Sequence, residues 1–73
     1  MATPDPVDHV AQIGETAGMV WTALSESGPL GFPQLVKAVG QPRDAVMQAV
    51  GWLAREDKIT ISEERRRRVV SLR

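Results

Sequence analysis

Two residues, Gly40 and Gln41, are all that separate two segments of helical hydrophobic spacing, and a joint that short admits very few folds. Before it, Phe32, Leu35, Val36 and Val39 repeat at helical spacing between Pro33, tolerated in a first turn, and Gly40, a favoured C-terminal cap. After it, Pro42 can open another helix, with Val46, Ala49, Val50 and Leu53 inward and Arg43, Asp44 and Gln48 pointing elsewhere. No loop remains to turn these helices antiparallel, so they must cross steeply.

A longer helix precedes them. Asp5, Pro6 and Asp8 read as an N-cap, a first-turn proline and an acid at the positive helix end. Val10, Ile13, Ala17, Val20 and Leu24 then keep the spacing of a buried stripe until Gly28 and Pro29 stop it. The expected first helix runs from about residue 6 to 27, with residues 1–8 prone to fraying.

At the other end the stretch GWLAREDKI, residues 51 to 59, passes from helix to strand almost without a loop. Leu53 and Ile59 can then reach one core, provided that Asp57 takes the left-handed turn that ends the helix. From Lys58 to Ser62 the period becomes two, with Ile59 and Ile61 on one side, and Val70 and Leu72 repeat it after the polar interval EERRRR. These runs predict a β-hairpin with a strongly basic tip, although the Asn-Gly or Asp-Gly of a tight turn is missing. Three helices followed by a hairpin is the order of a winged helix-turn-helix domain: mainly α, with a small C-terminal β wing.

The chain has 73 residues, room for one domain with a small core. There is no Cys, so neither a disulfide framework nor a thiolate metal site is available, and a reducing, cytoplasmic setting is expected. No secretory h-region opens the chain, and no apolar run approaches the roughly 18 residues of a membrane span. Net charge is zero but unevenly spread. The first 36 residues hold Asp5, Asp8, Glu15 and Glu26 with no Lys or Arg, whereas all nine basic residues and five acids lie from Lys37 onward. An anionic partner would meet the C-terminal half.

Particular residues carry a resemblance as well. Ile13-Gly14-Glu15-Thr16-Ala17-Gly18, Val20-Trp21 and Gly51-Trp52-Leu53-Ala54-Arg55-Glu56 with Lys58-Ile59 resemble a small bacterial winged helix-turn-helix family of unknown function. The resemblance covers roughly residues 11 to 72 and implies the winged-helix fold and a homodimer, with no reaction or ligand. Members often have Gly in place of Asp57, and their wing tips mix acids with a turn glycine where this chain has Arg65 to Arg68 unbroken.

In winged helix-turn-helix DNA binders the third helix enters the major groove and the wing touches the neighbouring backbone or minor groove. That geometry makes Gln41, Arg43 and Gln48 candidates on helix three, Arg43 for guanine or phosphate and Gln48 for adenine. Asp44 beside Arg43 weakens the field there. Arg65, Arg66, Arg67 and Arg68 are the stronger candidates, since guanidinium grips phosphate bidentately. The plainer alternative is a solvated tip that guards the sheet edge. Gly14, Gly18, Trp21 and Trp52 are candidates for a dimer interface, because so small a core cannot enclose both indoles.

Other chemistry is poorly served. His9 is the one histidine and has no companion ligand, so no metal site and no cofactor are expected. Glu56-Asp57 and Glu63-Glu64 are neighbours in a turn and a hairpin, a poor setting for acid–base work, and no nucleophile has a base. Gly28-Pro29-Leu30-Gly31 follows a helix and is not a phosphate loop. Two functions remain: a non-enzymatic duplex-DNA binder using helix three and the wing, or a homodimeric protein-interaction module that binds no nucleic acid.

Overall fold

A computed structural model describes residues 8–73. The chain folds as α1 (His9–Ser27), β1 (Leu30–Gly31), α2 (Phe32–Val39), α3 (Arg43–Arg55), β2 (Ile59–Glu64) and β3 (Arg67–Leu72). The strands form one antiparallel sheet in the order β1-β3-β2, and α1 packs chiefly on α3.

The first helix begins later than the sequence suggests. Asp8 is extended, at φ −85° and ψ 102°, so no helix can run through it from residue 6. Its carboxylate accepts from Val10 N–H at 3.1 Å and Ala11 N–H at 3.2 Å, the work of an N-cap. The N-cap reading of Asp5 and the proline role of Pro6 lie outside the described residues. Val10, expected in the buried stripe, is 59% exposed, because the stripe meets the core only from Ala17 onward.

The short joint behaves as its residues demand. Gly40 takes the left-handed conformation, φ 74°, and donates to Val36 O at 3.0 Å, so α2 closes and the chain turns at once into α3. Leu35 from α2 then meets Val46, Ala49, Val50 and Leu53 from α3 and Ala17, Val20 and Leu24 from α1. Ile59 and Val70 complete the core from the sheet side.

Asp57 turns α3 into β2 as expected, with φ 64°. Lys58 N–H donates to Leu53 O and Asp57 N–H to Ala54 O, each at 3.0 Å, which satisfies the last helical carbonyls in the Schellman manner. Arg73 Nη1 holds the Asp57 carboxylate at 2.7 Å, so the side chain that replaces a turn glycine finds a partner. Leu53 and Ile59, six residues apart, are 3% and 4% exposed.

Three features of the sheet differ from expectation. The sequence shows Leu30 and Gly31 only as part of a helix–helix joint, but they form β1 and pair with Val70 and Val69. Ile61 lies opposite Val70, as the alternation requires, yet it is 44% exposed because β2 leaves the core after Ile59. The six-residue polar interval is not all tip: Glu63 and Glu64 continue β2, while Arg67 and Arg68 begin β3. Only Arg65 and Arg66 form the turn, with φ 50° and 70°. Positive φ at both central residues is the pattern of a type I′ turn, which matches the twist of the strands.

Arginine is a poor occupant of that turn. A side chain with a Cβ is disfavoured in the left-handed region by roughly 1 kcal/mol relative to Gly. Arg66→Gly should therefore raise the unfolding free energy by about 1 kcal/mol in a urea titration. No gain would mean that the tip does not hold this turn in solution.

Candidate nucleic-acid interface

The wing concentrates the positive charge, and its register sets where each guanidinium stands. Glu64 pairs with Arg67 and Glu63 with Arg68, so successive arginines of β3 stand on opposite faces of the ribbon. All four arginines are exposed, and none lies within ion-pair distance of Glu63 or Glu64; the ion pairs among the described residues are Lys58–Glu56 and Arg73–Asp57. The acids across the ladder lower the local field without engaging the guanidiniums.

The wing leans on the start of α2. Arg66, Arg67 and Arg68 share a groove with Gly31, Phe32, Pro33 and Gln34. A Cβ on Gly31 would stand 2.8 Å from a guanidinium nitrogen of Arg67, so that side chain lies directly over the glycine. Gln34 Oε1 accepts from Gly31 N–H at 3.1 Å and fixes the first turn beneath it. Gly31 and Gln34 thus support the basic surface, a role that no local sequence pattern announces, since the contact joins residues far apart in the chain.

Helix three offers less charge. Asp44, Gln48, Gly51 and Arg55 follow one another at helical spacing and are all exposed, so its outward stripe carries one acid and one base. Arg43 is exposed beside it. Gln41, just before α3, and Gln48, at the α1 edge of that stripe, line a groove with His9, Gln12, Glu15 and Thr16. The candidate residues therefore fall into separate groups: Gln41 with Gln48, and Arg66 to Arg68 with the start of α2. Arg43 and Arg65 line neither groove.

The four residues assigned to a dimer interface do come together. Gly14, Gly18, Trp21 and Trp52 line one open groove with Ala17, Thr22 and Leu53. Trp52 is half-buried against the core, whereas Trp21 is 45% exposed. Nothing stands within 4 Å of a Cβ built on Gly14 or Gly18, so the chain's own packing does not require either glycine. Among the described residues no group of His, Asp or Glu is gathered as for a metal ion, and no helix is long and apolar enough to cross a membrane.

Three helices closed by a three-stranded sheet with a projecting hairpin define a winged helix-turn-helix domain. The chain belongs to the family described as the winged helix-turn-helix domain DUF2582, whose model matches residues 8–72. The uncharacterized protein MJ1608 of the archaeon Methanocaldococcus jannaschii is 38% identical over 69 residues, covering 90% of this chain and 97% of its own. The solution structure of protein BT2368 from Bacteroides thetaiotaomicron superposes with a TM-score of 0.79 at 34% identity, covering 85% of this chain and 76% of that one. BpsR of Bordetella bronchiseptica, whose DNA binding is regulated by 6-hydroxynicotinic acid, superposes with a TM-score of 0.74 at 24% identity. The match covers 89% of this chain and 55% of BpsR, and the likeness is one of fold.

Proposed function

We propose that this chain is a non-enzymatic, cytoplasmic protein that binds duplex DNA, as a transcriptional regulator or an accessory binder, and acts as a homodimer. The observation that carries this reading is the wing: four exposed guanidiniums, none in an ion pair among the described residues, grouped at and behind a two-residue turn. A structural tip would favour Gly or Asn in a type I′ turn; arginine there gives up turn stability and gains charge where the hairpin projects farthest. The fold shared with the DNA-binding protein BpsR supports the same reading. Arg43 and Gln48 on α3 would supply any choice of sequence, and Gln41 would sit at the edge of the contact.

A duplex backbone can meet the tip and one face of the ribbon together, hence three of the four arginines. At about −0.9 per phosphate contact, log K should fall with log salt at a slope near −2.7, or about 40-fold between 50 and 200 mM salt. A fluorescence anisotropy titration of a 20-base-pair duplex at those two salt concentrations tests the reading, and an affinity that does not change with salt would sink it.

The homodimer reading rests on the groove that unites Gly14, Gly18, Trp21 and Trp52. Trp21→Ala should shift the mass seen by light scattering toward the monomer. A dimer that persists unchanged would clear this face of the role.

A further inference from the structure

The acidic half of the chain has its own surface. Glu15, Met19, Thr22 and Glu26 succeed one another at helical spacing and share an outward stripe of α1. Beside them runs an open groove between α1 and the end of α2, with half-buried Ala23 and Val39 at its floor and exposed Glu15 and Glu26 at its rim. Met19, 44% exposed, stands between the two carboxylates. Neither glutamate has a cation within 4.0 Å among the described residues.

The wing is the complement of this groove in charge and in form. We propose that the groove between α1 and α2 receives the arginine-rich wing of a second copy of this chain. Guanidiniums pair with Glu15 and Glu26, and their alkyl stems cover Met19, as long basic side chains do on apolar surface. The two glutamates are eleven positions apart, about 16 Å along a helix that rises 1.5 Å per residue. A single lysine cannot serve both, whereas a hairpin spreads its arginines over a tip and two faces.

Charge complementarity singles out a second copy as the occupant. Every acid before Lys37 is unaccompanied by a base, and the surplus of base lies in the half that carries the wing. The groove and the tryptophan groove adjoin along α1, where both are lined by Gly18 and Thr22, but Glu15 and Glu26 line only the first and Trp21 and Trp52 only the second. Docking occupies the guanidiniums that would hold phosphate, so duplex and self-association should exclude each other. This exclusion rests on the duplex-binding reading; the docking itself does not.

Sedimentation equilibrium at 50 and 500 mM NaCl tests the proposal on the full chain, its Glu15→Gln/Glu26→Gln variant and Trp21→Ala. Both glutamates are exposed on a helix that glutamine also favours, so the double variant should fold, which circular dichroism checks. The expected result is self-association that weakens with salt and falls about fivefold in the double variant, the weight of two exposed ion pairs. Duplex affinity of that variant, by anisotropy, should be undiminished. Loss of association in the double variant without any duplex binding in either protein would uphold the docking and remove the duplex reading. In the Trp21→Ala background, which removes the other face, residual association that is absent, insensitive to salt or unchanged by Glu15→Gln/Glu26→Gln would overturn the proposal.

Discussion

Leu35→Ala should lower the unfolding free energy by about 3 kcal/mol, and the melting temperature by roughly 12 to 24 °C. Leu35 is the one fully buried residue of α2 and meets core residues of α1, α3 and the sheet, with Phe32, Val36 and Val39 half-buried beside it. Truncation removes its transfer energy and leaves a cavity that the crossed helices cannot close, because the joint at Gly40 and Gln41 fixes α2 against α3. A domain of this size has about 4 to 11 kcal/mol in all, so the loss brings it near unfolding at body temperature. Calorimetry gives the answer directly. A shift of only a few degrees would mean that α2 is held by its turns and not by this side chain.

Replacing Arg65, Arg66, Arg67 and Arg68 together by Ala should weaken duplex binding about tenfold at 50 mM salt and flatten the salt slope from near −2.7 toward zero, since the three phosphate contacts come from the wing. The fold should survive. All four side chains are exposed, and the hairpin keeps its ladder from Ile59–Leu72 to Glu64–Arg67 whichever side chains it carries. Stability should change little, since among the described residues the arginines make no ion pair that would be lost. A variant that unfolds would show the wing to be structural. A folded variant that binds as the parent does would remove the wing from the mechanism.

Much of the fold was legible because turn residues stand at nearly every boundary. Pro33, Gly40 and Pro42 delimit α2 and α3 with little ambiguity, and the spacing of Val46, Ala49, Val50 and Leu53 gives the inward face of α3 as found. Asp57 was legible by necessity, since only a left-handed residue there lets Leu53 and Ile59 share a core. β1 was not, because two residues are too few to show a period of two, and Leu30–Gly31 follows a proline that reads as loop. The tight turn at Arg65–Arg66 was hidden by its own composition, as arginine is no signal for positive φ.

The candidate site was legible in part for similar reasons. A run of four arginines announces charge wherever it lies, and small residues in line with Trp21 announce a face. What the order of residues cannot reveal is tertiary. Arg67 rests over Gly31, and Gln41 and Gln48 look toward α1 and its Glu15, because β3 and α1 are brought to those places by the sheet and the helix crossing.

The most direct test is to map the duplex on the protein by amide chemical-shift changes in the isotope-labelled chain. The account predicts that the largest changes fall on Arg65 to Arg68 and on Gly31, Phe32 and Gln34 at the start of α2, with smaller ones at Arg43 and Gln48, all reversed by 500 mM salt. Changes confined to the groove of Gly14, Gly18, Trp21 and Trp52, or a spectrum that does not move as duplex is added, would contradict it.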